Sequence, residues 1–212
     1  MKQRKMKIIY PAFLAILIAF SLTGCNKTED FVPDFKLENA IKVNSDLSIT
    51  ATLVDNFSEY YYNVDELYHM INDEVLAFNE KTGTESMTAE NVLVEEEIVN
   101  AVLKFADREA YALYNEAVFF VGTIEEALNS GLRLNQILHD INDEEKTIDK
   151  DDLDAMKDYF ILITNEHREI GPLSVEVFGR ISYVSNGIAA WHGRNSVMIL
   201  DVSDELIYIL FK

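Results

Sequence analysis

Between Asn63 and Gly83 the apolar residues Val64, Leu67, Tyr68, Ile71, Val75 and Phe78 recur at spacings of three and four. That period places them on one face of a helix. Asn63 with Glu66 reads as a box-type N-terminal cap, and Gly83 as the stop. Elsewhere the period is two. LSITATLV, residues 47–54, alternates apolar residues with Ser and Thr, as a half-buried strand does. Val92 to Phe105 is apolar around an acidic interruption at Glu95 to Glu97. Two short strands fit it, and a helix is left open. Asp107 caps a short helix through Ala117, VFFV fits a buried strand, and Thr123 with Glu126 forms a capping box before a stop at Gly131. LRLNQILHDI, residues 132–141, fits either period.

Five later stretches read as strands: Tyr159 to Thr164, Leu173 to Val177, Arg180 to Ser185, Ser196 to Val202 and Leu206 to Phe211. Asn186-Gly187 between the third and fourth of these is a hairpin signal, because a type I′ turn needs positive φ at both central residues. The C-terminal third is therefore expected to be an antiparallel β-meander. The expected class is α+β, with a few helices packed on a largely antiparallel sheet.

The first residues follow a different pattern. Lys2, Arg4, Lys5 and Lys7 precede an apolar run from Ile8 to Leu22, as in a secretory signal. The run ends Leu22-Thr23-Gly24-Cys25, which resembles the lipobox of bacterial lipoproteins. The resemblance implies that the Cys25 thiol receives a diacylglyceryl group and that the chain is cut just before it. Cys25 is the sole cysteine of 212 residues. A thiolate is a strong nucleophile, and once alkylated it forms no disulfide. Two acyl chains give a stable anchor where one gives only marginal binding. The expected organisation is a signal peptide over 1–24, a lipidated N-terminus and flexible tether over 25–46, and one extracytoplasmic domain over 47–212. Some 20 flexible residues have a reach of about 25 Å. The expected location is the extracytoplasmic face of a bacterial membrane, held there by the lipid.

Charge narrows the partners. The net charge is −19, and loss of the four basic signal residues makes it more negative by four. No cluster of Lys and Arg exists to contact phosphates, so nucleic acid is not an expected partner. A cationic partner or a divalent cation fits the sign.

Candidate chemistry is sparse. His69, His139, His167 and His192 show no ligand spacing for zinc. Asp140, Asn142 and Glu144 occupy the first, third and fifth places of a calcium loop, with Asp151 at its last place. Glu145 stands where the tight turn needs glycine, and Asp151 where a bidentate Glu is needed. A solvated acidic loop is the preferred reading. No Gly-x-Ser-x-Gly elbow or P-loop is present, and no enzyme is expected. Trp191 and His192, after the hairpin signal, and Tyr61, before the long helix, are candidate ligand contacts. Each equally suits packing, and packing is preferred for Trp191.

GTIEEAL (122–128), FGRISYVSNGI (178–188) and YILFK (208–212) resemble a group of small, uncharacterised lipoproteins of Gram-positive anaerobes. Phe178 stands where those carry proline. The resemblance implies an exported α+β lipoprotein and brings no catalytic residue and no cofactor beyond the diacylglyceryl on Cys25. The leading expectation is a membrane-anchored module that binds an unknown protein or small ligand, marked by an exposed aromatic cleft. A structural or assembly partner of an envelope complex would instead show a flat apolar patch. A cell-envelope hydrolase would show a buried, perturbed carboxylate or histidine in a cleft.

Overall fold

A computed structural model describes residues 36–59, 62–166, 172–186, 188–191, 193–200 and 206–212. Asn39–Val43 (β1) and Ile49–Asn56 (β2) form an antiparallel pair before the helix Val64–Thr82 (α1). Met87–Glu95 (β3) and Ile98–Phe105 (β4) make a hairpin, followed by Arg108–Asn115 (α2), Phe119–Thr123 (β5) and Ile124–Asn129 (α3). Leu138–Asp140 (β6) and Asp143–Ile148 (β7) make a second hairpin, and Lys150–Ala155 (α4) follows it. Phe160–Thr164 (β8), Leu173–Glu176 (β9), Ile181–Val184 (β10), Ile188–Trp191 (β11), Ser196–Ile199 (β12) and Ile207–Phe211 (β13) complete the described chain.

The strands form two sheets, ordered β11-β12-β9-β1-β2-β4-β3 and β5-β8-β13-β10-β6-β7. Every described pairing is antiparallel except β1 with β9. The class is α+β with antiparallel strands through the C-terminal third, as the period-two pattern predicts. One core cluster joins Ile41, Val43, Phe105 and Val175 of the first sheet to Leu162, Ile209 and Phe211 of the second. The two sheets therefore face each other across it. Alternate residues of the same strands, Ile161, Ile163, Tyr208 and Leu210, pack on the second sheet's other side with Ile124 and Ala127 of α3 and Leu153 of α4. Strands β8 and β13 are thus buried on both faces, and their sequences FILIT and IYILF are accordingly near-continuous apolar runs.

Two expectations need correction. The tether does not reach Asp46. β1 lies inside the first sheet with Ile41 and Val43 buried, and Lys36 already exchanges two hydrogen bonds with the Asn100 amide, at 2.6 and 3.0 Å. Among the described residues the compact unit therefore already includes Lys36. The second correction concerns Asn186-Gly187. The flanking strands lie in different sheets, β10 paired with β13 and β6 and β11 with β12, so the pair marks a crossing between sheets and not a hairpin.

Local chemistry explains the helix ends. The Asn63 side chain accepts from the N–H groups of Asp65 and Glu66, and Gly83 ends α1 at φ 72°. Both halves of the Thr123–Glu126 capping box form.

Candidate functional site

Helix α1 is anchored near its C-terminal end. The Asn79 side chain donates to the Met87 carbonyl at 2.8 Å and accepts from the N–H groups of Ser86 and Met87, both at 2.9 Å. Val75 and Phe78 enter the core. No residue of α1 before Val75 is buried, and Leu67 and Ile71 are only half-covered. The apolar stripe is therefore fully buried only from Val75 onward, with Ile71 packed in part against the same core.

The less buried part of the helix lines a groove of about 470 Å³ against the first sheet. Leu53 of β2 and Val99 and Ala101 of β4 form its floor, with Leu53 directly opposite Ala101 in the ladder. Leu67, Met70 and Ile71 form the helical wall. Phe57 and Tyr62 line it as well, their rings 4.9 Å apart. The polar members are Asp55, Asn56, Asn63 and Glu66, and no basic side chain is among the described lining residues. Such volume and lining fit a ligand site, where apolar walls supply contact and a few polar groups orient.

The groove borders an acidic turn. Glu95 to Glu97 connect β3 to β4, and the Phe57 N–H donates to the Glu97 carbonyl at 2.6 Å. Glu96 and Glu97 adopt φ of 48° and 68°. Both values lie in the left-handed region, where a side chain costs about 1–2 kcal/mol per residue.

A buried carboxyl held above its usual range lies elsewhere. Glu166, after β8, is buried and accepts a hydrogen bond from the Tyr111 hydroxyl of α2. Burial pushes its carboxyl up to about 7, against a smaller downward pull from the Tyr111 hydrogen bond. Burial, then the Glu166 charge, raises Tyr111 well above the usual phenol range, so the phenol stays a proton donor. Tyr111 packs against the rings of Phe105 and Phe119. Tyr111 belongs to the core cluster, and neither it nor Glu166 is among the described residues that line the groove.

The residues singled out from sequence fare differently. Leu22, Thr23, Gly24, Cys25, Tyr61, His167 and His192 lie outside the described residues. Trp191 ends β11, opposite Val197 of β12. The expected acidic loop is instead the β6–β7 hairpin. Asp140 accepts from the Asn142 N–H at 2.9 Å and from Lys146 at 3.3 Å, and these bonds, led by the one from Asn142, hold its carboxyl below the usual range. Glu144 lies within β7, and Asp151 belongs to α4 beyond the strand's far end. At about 3.3 Å per residue, β7 separates Asp140 from Asp151. Among the described residues no three His, Cys, Asp or Glu side chains come together as metal ligands. Sequence reasoning missed Leu53, Phe57, Met70 and Val99. The available signal was a helix with apolar residues, Met70 and Leu76, outside its own stripe.

No family model, no curated protein and no solved structure matches the chain.

Proposed function

We propose that the chain is a lipid-anchored extracytoplasmic binding module that holds its ligand between α1 and the β2–β4 floor. The groove carries this reading, because it is concave, mostly apolar and lined by two aromatic rings in contact. It is the kind of cleft expected of a binder, where an assembly partner would show a flat patch. The placement outside a membrane rests on the basic start, the apolar run and Cys25. Diacylglyceryl transfer to the Cys25 thiolate and cleavage before it would leave two chains in the bilayer and the acidic body outside. Among the described residues no helix is long and apolar enough to cross a membrane.

The test is thermal unfolding of the full chain with a panel of small apolar compounds, sugars, peptides and metal ions. A groove ligand at 100 times its dissociation constant contributes about 2.7 kcal/mol, or roughly 5–10 °C for a domain of this size. Ala101→Phe, which fills the groove from its floor, should abolish that shift. A panel without any shift sinks the proposal.

A further inference from the structure

The binding reading leaves open what enters the groove, and charge decides it. Asp55 and Glu66 are the charged groups among the described lining residues, and both are acidic. At Phe57, the bond from its N–H to the Glu97 carbonyl brings the Glu95–Glu97 turn alongside. From Asp55 to Glu97 the sequence holds twelve Asp and Glu against Lys81 as its one basic residue. An anionic ligand would meet repulsion from Asp55, Glu66 and the turn, and a cationic one would gain from all of them. Several of the described lining residues also remain open to solvent. Leu53, Tyr62 and Met70 keep 37%, 44% and 68% of their surface exposed. A small-molecule site usually encloses most of its ligand. This shape suits a chain segment lying along the groove with side chains pointing in, and acids at several places along it suit several cations and not one ammonium group.

Resting on the groove reading above, we infer that the occupant is a peptide segment of a partner protein, with apolar side chains at the groove and Lys or Arg on either side. Leucine-sized side chains meet Leu53, Val99 and Ala101, and the flanking cations face Asp55, Glu66 and the Glu95–Glu97 turn.

The experiment uses the full chain in nanodiscs of zwitterionic lipid, with empty discs as control. Three fluorescent peptides share a Leu-Ser repeat and differ only in flanks of Lys, Gln or Glu, and an alkylammonium of matched apolar size competes as a fourth probe. Two rim pairs of the usual exposed strength give the Lys-flanked peptide about a fivefold advantage over the Gln-flanked one. That advantage should shrink as ionic strength rises from about 0.01 M to about 0.15 M and the Debye length falls from about 30 Å to about 8 Å. Asp55→Asn with Glu66→Gln should bring the two peptides to within about twofold, and Ala101→Phe should weaken both. Equal binding of Lys- and Gln-flanked peptides, with Ala101→Phe weakening each, overturns the cationic segment and keeps the groove. Lys-peptide binding untouched by Ala101→Phe places it on the general acidic surface and overturns the inference. An alkylammonium that binds as tightly as the Lys-flanked peptide makes the occupant a small amphiphile and likewise overturns it. No binding by any probe overturns the peptide inference, and the groove reading then rests on the thermal panel alone.

Discussion

The backbone N–H of Phe57 donates to the carbonyl of Glu97 at 2.6 Å, joining the groove's lining to the strained turn between β3 and β4. The bond is main-chain to main-chain, so side chains at the turn are replaceable without breaking it. That separates two effects of the glutamates, strain and charge.

Replacing Glu97 by glycine removes a side chain held at φ 68°. Glu97→Gly should raise stability by about 1 kcal/mol, less the flexibility that glycine adds to the unfolded chain. Glu96→Asn, at φ 48°, should act in the same direction because asparagine tolerates that region better. Both variants should weaken a Lys-flanked peptide more than a Gln-flanked one. Urea unfolding and anisotropy titration of the same samples check the two halves of this expectation.

Glu166 sets a pH dependence. Its native carboxyl titrates near 7, above its ordinary value of 4.5. The folded state therefore holds a proton through a range where the unfolded state has released it, and stability falls as pH rises between these values. The loss is about 3 kcal/mol across the window, fully present above it and absent below about pH 4.5. Glu166→Gln keeps an acceptor for the Tyr111 hydroxyl without a titrating group. Its stability should be flat over that window and exceed wild type at pH 8. Urea unfolding at intervals from pH 4 to pH 8 gives the comparison, and parallel curves for the two proteins would contradict it.

Gly179 has no room for a side chain. A Cβ there would stand 2.8 Å from the Lys212 carbonyl carbon and 2.9 Å from its oxygen. The same backbone is fixed by paired hydrogen bonds between Arg180 and Lys212, at 2.7 and 3.0 Å. Gly179→Ala should force the end of β13 outward and cost about 1–3 kcal/mol, read as a lowered melting temperature.

Anchoring depends on one atom. Cys25→Ser removes the thiolate that the proposed lipid transfer requires. The variant should incorporate no labelled palmitate and move from the membrane to the soluble fraction of cells, while the exported body unfolds at the wild-type temperature. Label retained by the Ser variant would contradict the proposed anchor.

The ends of α1 and α3 were legible in the sequence because caps are local: Asn63, Gly83, Thr123 and Glu126 act on neighbours within a few residues. β1 was not. NAIKV is five residues with two large apolar side chains, and its burial depends on β9, whose residues follow it by more than a hundred positions. The strands on either side of Asn186-Gly187 lie in different sheets, and a dipeptide carries no record of which sheet receives the next strand. The groove was hidden for a related reason. A helical stripe shows which face is apolar and not how far along its length the face is seated. That is decided by Asn79 gripping the start of β3 near the helix's C-terminal end.

The most direct test of the groove is a methyl NMR titration of the full chain labelled at methionine, with the Lys-flanked peptide as ligand. Met70 lines the groove and is 68% exposed, whereas Met87 and Met198 are buried elsewhere in the first sheet. The groove reading predicts a saturable shift of the Met70 methyl signal, lost in Ala101→Phe, with Met198 unmoved. Saturable binding that leaves Met70 unshifted would contradict it.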